Sequence, residues 1–223
     1  MKYQTIALAG IFALGLSLAS CSGSSKGEGS VAASEAAAVS DVAAEALAVD
    51  STASTLSWKG FKPGGEHYGK LPISAGQLDI KDDVLHGGYV TIKMNGIIVE
   101  DLKAEEGRDK LKAHLEGEDF FDAAKYPEAK FELTDVPAEG LKIADIKELK
   151  GNLTLKDVTK NITIPVASIQ RDAVTGKYSF TSQTFRINRA DWNVKYGSKS
   201  FFTGLGDKFI NDEIELSFVL QTL

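Results

Sequence analysis

From Thr55 onward the chain is written in period two, and this pattern narrows its folds more than any other feature. Val90, Ile92 and Met94 alternate with Thr91, Lys93 and Asn95, and Phe131 and Leu133 with Lys130, Glu132 and Thr134. Leu153 and Leu155 are flanked by Asn152, Thr154 and Lys156. Ile162, Ile164 and Val166 follow, then Tyr178 and Phe180, then Phe185 and Ile187. The chain closes on Ile214, Leu216, Phe218 and Leu220 against Glu213, Glu215, Ser217 and Gln221. Successive side chains of a strand point to opposite faces, so each run has one apolar and one wet face. Antiparallel sheets buried on one side carry that signature. Turn residues separate the runs at Lys81-Asp82-Asp83, Pro137 to Gly140, Lys156-Asp157 and Arg171 to Gly176. One stretch departs from the alternation. Over 105–115, EEGRDKLKAHL, Leu111 and Leu115 stand four apart among charges, which predicts a short helix. Eight or so strands with one helical excursion suit a sandwich or an eight-stranded barrel, and closure removes exposed edges.

The N-terminus is organised differently. Met1-Lys2 leads into an apolar run from Ile6 to Leu18, too short for a membrane span of about 20 residues. A positive start and a short apolar middle are the features of a secretory leader. It ends in Leu18-Ala19-Ser20-Cys21, which resembles the bacterial lipobox, where the cysteine receives diacylglycerol and becomes the first residue after cleavage. Cys21 is the only cysteine in the chain, so an exported thiol here has no disulfide partner. Ser22 rather than Asp follows, which by resemblance to proteobacterial sorting favours the outer membrane. From Ser22 to Asp50 the composition turns to Ser, Gly, Ala and Glu without one aromatic residue, which reads as a flexible tether. A coil of that length spans roughly 30 Å at about 5–6 Å times the square root of its residue number.

Composition excludes several function classes. With 25 Lys and Arg against 31 Asp and Glu, the net charge is −6. No basic stripe offers itself to phosphates, so nucleic acid is not an expected partner. The acidity also speaks against an electrostatic grip on anionic membranes. His67, His86 and His114 lack a second His or a Cys at metal-ligand spacing, so no metal and no cofactor is expected. No Gly-x-Ser-x-Gly elbow and no phosphate-binding Gly-rich loop occurs, and no catalytic residue is assigned. Phe120-Phe121 and Phe201-Phe202 pose another question. They either line a ligand or plug one end of the barrel; tandem aromatic residues are both buried only where a segment is covered on two sides, which favours lids packed over the mouth.

Several segments, in order, resemble the YceI-like family of exported lipid-binding proteins. They are Trp58-Lys59-Gly60, His67-Tyr68-Gly69, Arg108-Asp109, His114-Leu115, Asp119-Phe120-Phe121-Asp122 and Tyr126-Pro127 with Ala129-Lys130-Phe131. Gly151 to Leu155, Val158-Thr159-Lys160, Asn188-Arg189-Ala190-Asp191-Trp192 and Gly206-Asp207 continue the set. The family often has Gly where this chain has Asn193. The resemblance implies an eight-stranded antiparallel lipocalin-like barrel with a short helical excursion. The expected organisation is a lipoprotein signal peptide over 1–20, an acylated Cys21 with its tether over 21–50, and the YceI-like barrel over 51–223.

The resemblance also implies a long isoprenoid or fatty-acyl lipid held in the barrel, by binding rather than catalysis, in the cell envelope. Cys21 implies a lipid anchor and Ser22 favours the outer membrane, so the expected position is at the outer membrane facing the periplasm, although the sequence does not fix the membrane face. The residues expected at the ligand are Trp58, His67, Val90, Ile92, Met94, Phe120, Phe131, Leu133, Leu153, Phe180, Ile187 and Trp192. Two readings compete: a membrane-tethered structural or protein-interaction domain with a solid core, and a lipid-modifying enzyme using His67 or another polar residue of the mouth. Residue parity fixes the face of a side chain and leaves open whether a void lies behind it. The oligomeric state is equally open, a homodimer included.

Overall fold

The computed structural model describes residues 29–39 and 45–223. The leader over 1–20, Cys21, and residues 22–28 and 40–44 of the expected tether lie outside the described residues.

Eight strands form the framework: β1 (Thr55–Lys62), β2 (Gly65–Lys81), β3 (Val84–Lys93), β4 (Glu128–Leu133), β5 (Glu148–Leu155), β6 (Val158–Arg171), β7 (two pieces, Tyr178–Ser182 and Phe185–Asn188) and β8 (Glu213–Gln221). Each is antiparallel to the next in sequence. β8 returns to β1, with Leu216 opposite Trp58 and Ser217 opposite Ser57, so the sheet closes into a barrel. The turns show why neighbours in sequence become neighbours in space. Asp82-Asp83 and Lys156-Asp157 are two-residue loops with both φ angles positive, the hairpin geometry whose twist matches that of the flanking strands. β2 serves two strands of the framework. Its residues up to Pro72 pair with β1, those from Ile73 pair with β3, and a register shift between Ile73 and Ala75 bends it at the change.

The apolar residues of the alternating runs point inward and form one core, including Leu71, Leu85, Ile92, Leu153, Phe180 and Leu216. Outward positions such as Lys59, Lys130, Lys150 and Glu215 carry charge. The predicted helix is α1 (Arg108–Glu116), and Gly107 at φ 103° separates it from a 3-10 turn over Ala104–Glu106. The expected single helix from Glu105 is thus divided where only a residue tolerant of positive φ fits. Asn193, the departure from the family's Gly, lies at φ 57°, a left-handed conformation that Asn tolerates at modest cost.

The expected tether requires a correction. Residues 29–39 and 45–50 lie along the barrel wall. Gly29 and Val31 exchange backbone hydrogen bonds with Arg186 of β7, and Ser34–Glu35 pair with Asn161 and Lys160 of β6. This segment fills the seam where the upper part of β6 has no other neighbour on that side, because β7 pairs only with its lower part. Ala46–Ala48 pair with β2 at Gln77 to Asp79, and Val49 is buried. A composition without aromatics predicted a solvated chain because it offers little to bury. The strap is held by its main chain instead, which needs no large side chain. Asn152 is the clamp: its Oδ1 accepts from the Ala37 N–H at 2.9 Å and its Nδ2 donates to the Ala37 carbonyl at 2.7 Å. Asn161 donates to Asn152 Oδ1 and to Thr134 Oγ1, completing a buried network. Asn152→Ala removes both strap bonds and one partner of Asn161, and is expected to cost about 2 kcal/mol. Amide hydrogen exchange at residues 37–39 should accelerate at least tenfold, and unchanged exchange there would show that the strap is held elsewhere.

At the lower end, where the β2–β3 and β6–β7 connections meet, the Tyr178 hydroxyl donates to Asp83. Burial first, then the neighbouring Asp83 carboxylate, pushes the Tyr178 phenol up to about 12. The folded state therefore favours the neutral phenol. Below about pH 10 both states hold the proton and stability does not respond. Between about pH 10 and 12 the unfolded chain ionises first, so stability falls. Alkaline urea titrations should show this loss, and Tyr178→Phe should lack that part of the slope.

Candidate functional site

The interior is not filled. Two hollows lie end to end along the barrel, an upper one of about 130 Å³ and a lower one of about 70 Å³. A void needs only about 10–15 Å³ to hold one water, and a dry engineered cavity of about 150 Å³ lined by Leu, Ile and Phe admits benzene. The upper hollow is of that order. Leu56, Ile92, Leu153 and Leu216 border both hollows, so four aliphatic side chains form the waist between them.

The upper hollow is roofed by α1 through Leu111, His114 and Leu115, and by Phe120 and Phe121. It reaches Gly60, Phe61 and Lys62 at the β1–β2 connection. The roof is organised by Arg189, a fully buried guanidinium. Arg189 donates to the carbonyls of Asn211, Val194 and Ile210 at 3.1, 2.8 and 3.1 Å, and faces Asp212 at 3.3 Å. Its guanidinium also stacks 5.3 Å from the centre of the Phe120 ring. One side chain thus ties the 193–212 loop to the roof. Burial lowers the Arg189 pKa from its usual value, and the Asp212 carboxylate opposes that shift.

Few polar groups touch the hollows. His67 is the best defined: its Nδ1 lies 2.7 Å from Asp101 Oδ2, while Asp101 Oδ1 accepts the Tyr68 N–H. With Nδ1 bound to the carboxylate as a donor, neutral His67 is left with Nε2 as an acceptor. Asp101 reaches His67 because Ile98–Val99 pair with Gly69 and Lys70 of β2. A methyl group on Gly69 would stand 1.9 Å from the Ile98 carbonyl oxygen, so only Gly permits this approach. The same carbonyl accepts the Trp58 ring N–H at 3.2 Å. The segments Trp58-Lys59-Gly60 and His67-Tyr68-Gly69 therefore form one structural unit. Gly151 is explained similarly: its missing Cβ is the space taken by the Phe131 ring, 2.3 Å away.

Most of the residues expected at a ligand border these voids. Trp58, His67, Met94, Phe120 and Ile187 line the upper hollow, Val90, Phe131, Leu133 and Phe180 the lower, and Ile92 and Leu153 both. Trp192 stands apart. It is wholly buried, donates its ring N–H to the Leu153 carbonyl at 2.9 Å, and borders neither hollow. The two aromatic pairs also divide. Phe120 and Phe121 are buried in the roof as expected, whereas Phe201 and Phe202 are 41% and 48% exposed. The loop carrying the second pair is covered on one side only, so the expectation of a buried lid fails there. Sequence reasoning passed over Leu111, His114 and Ile210 at the roof, although Leu111 and His114 fall in the predicted helical stretch. Among the described residues no group of three or more His, Cys, Asp or Glu is placed to hold a metal ion.

A closed eight-stranded antiparallel barrel with an apolar hollow and a helical roof is the architecture of the lipocalin-like class. The YceI-like domain matches residues 47–222, and the chain belongs to that family. It is 35% identical over 108 residues to Protein YceI of Escherichia coli O157:H7, covering 48% of this chain and 52% of that protein. It is 31% identical over 150 residues to a UPF0312 protein of Yersinia pestis, covering 67% of this chain and 69% of that one. A UPF0312 protein of Pseudomonas savastanoi is 40% identical over 90 residues, 40% of this chain and 44% of its own length. The chain thus spans about half or less of the E. coli and Pseudomonas relatives in these matches. Two solved structures share the fold. BcnA of Burkholderia cenocepacia superposes with a TM-score of 0.59 at 21% identity, covering 78% of this chain and 99% of that one. A polyisoprenoid binding domain from Saccharophagus degradans gives 0.56 at 17% identity, covering 79% and 97%.

Proposed function

We propose that this protein binds a long apolar lipid, an isoprenoid or fatty-acyl chain, inside its barrel and acts as a carrier or sequestering protein of the cell envelope. The observation that carries the reading is the pair of apolar hollows separated by four aliphatic side chains. A solid-core interaction domain would have that space filled. The Saccharophagus degradans domain of the same fold, described as polyisoprenoid binding, supports the ligand class. Physical chemistry makes such binding sufficient without any reaction. Each buried methylene contributes about 0.8 kcal/mol, so a dozen supply on the order of 10 kcal/mol before the cost of lost ligand freedom. Rotation of the waist side chains joins the hollows and lets one chain run through both. The polar end of the ligand rests near His67, whose Asp101 partner fixes the ring.

In this reading Cys21 carries the acyl groups that hold the protein at the outer membrane, facing the periplasm. Two or three chains anchor stably, where one is marginal. Labelled palmitate should enter the intact protein and not the Cys21→Ala chain, and equal labelling of both would remove the anchor. The ligand itself is tested by purifying the full chain without denaturation and analysing an organic extract by mass spectrometry. A single-chain lipid near one equivalent is expected. Repeated recovery of lipid-free, folded protein from its own host would overturn the proposal.

A further inference from the structure

The connection from Trp192 to β8 is the part of the surface that the barrel itself leaves unexplained. Phe201 and Phe202 are the two exposed phenylalanines among the described residues, and Tyr196 beside them is 43% exposed. Soluble proteins seldom present such a cluster without a partner to cover it. Lys195, Lys199 and Lys208 fringe it, against one acid, Asp207, over residues 193–209, in a chain whose net charge is −6. The Lys195 ammonium lies 5.0 Å from the centre of the Phe201 ring, and that of Lys199 lies 3.4 Å from the centre of Phe209. A shallow groove joins Tyr196, Phe202, Leu205 and Lys208, with Asp119 as the acid on its wall. The cluster also belongs to the roofed end of the barrel. Tyr196 packs edge-on against His114 at 4.4 Å between ring centres, and His114 lines the upper hollow.

Aromatic rings flanked by lysines are the side-chain set of a membrane–water boundary. The rings sit at headgroup depth, and lysine stems lie along apolar surface while their ammonium groups reach anionic headgroups. Each lysine near an anionic surface strengthens association about fivefold. The local excess of positive charge reverses the sign of the chain as a whole, which favours an anionic lipid surface over an acidic protein face lacking an apolar layer for the rings. We propose that residues 193–209 are a membrane-docking tip that seats the roofed end of the barrel on an anionic bilayer, so that the lipid passes between bilayer and hollow without crossing water. The proposal rests on the lipid-carrier reading for its purpose and on this surface for its geometry.

The test uses the full chain with vesicles of phosphatidylethanolamine and phosphatidylglycerol whose acyl chains are brominated. Phe202→Trp places a fluorophore at the tip. Val174→Trp places one at the opposite end, in the β6–β7 turn, where Val174 is 94% exposed. Emission from the tip tryptophan should fall at least twofold, and that from position 174 should match the unsubstituted chain with its own Trp58 and Trp192. Replacing Lys195, Lys199 and Lys208 together with Gln in the Phe202→Trp chain should halve the quenching or better. Equal quenching at both ends, or quenching indifferent to the lysines, overturns the docking tip. An organic extract of the same protein preparation, taken before the vesicles are added, separates the two ideas. Lipid in the extract with a silent tip sinks docking alone, whereas a lipid-free extract beside a quenched tip sinks the carrier reading and leaves docking standing.

Discussion

Replacing Arg189 with methionine is expected to destabilise the protein by about 4 kcal/mol, within the range of about 3–5 kcal/mol for a broken buried ion pair. The methionine fills much of the same volume but donates nothing. It leaves the carbonyls of Val194, Ile210 and Asn211 without their donor and Asp212 without its counter-ion. A buried group stripped of its partner costs about 1–3 kcal/mol, and breaking a buried ion pair costs about 3–5 kcal/mol. These costs overlap at one site, so their sum is not the prediction. Arg189→Lys keeps the charge and loses the planar fork, and should retain part of the stability. Urea unfolding measures both. A loss below about 1.5 kcal/mol for Arg189→Met would show that the 193–212 loop is organised by other contacts.

Leu216→Trp is expected to empty the barrel while leaving it folded. Leu216 borders both hollows at the waist, so an indole there occupies space now vacant. Overpacking a filled core typically costs about 1–3 kcal/mol, and a void on either side places this substitution at the low end of that range. Lipid recovered per mole of protein should fall at least tenfold. Leu56→Trp attacks the same waist from β1 and guards against a local distortion in β8. Two folded variants that keep a full lipid load would show that the ligand is held elsewhere.

Much of the barrel is legible in the sequence because side-chain parity along a strand is a local property. Val90 and Ile92 had to share a face, and so did Phe131 and Leu133, whichever strands flanked them. The void between the faces is a distance across the barrel, and no local pattern encodes it. Asp101 escaped notice for a related reason: it is a pairing partner of His67 only because the Ile98–Val99 segment docks on β2 at Gly69. The strap was misread because composition reports what side chains can bury, whereas Ser34–Glu35 and Ala37 are held through backbone groups by β6 and by Asn152. Phe201 and Phe202 differ in the opposite direction: burying both members of a tandem pair needs cover on two sides, which no local pattern encodes, and the pair is 41% and 48% exposed.

The meeting of Ser57 in β1 with Ser217 in β8 sets the order in which the molecule can assemble. Hairpins on two-residue turns form early because they close short loops, whereas the last seam joins segments most of the chain apart and carries the largest closure entropy. Until β8 arrives, β1 and β7 each present a bare edge able to recruit a neighbouring chain. A chain made from its N-terminus must therefore wait for β8 before either edge is satisfied. Truncation just before Glu213 would leave a sticky, permanently unfinished ribbon and not a shorter barrel.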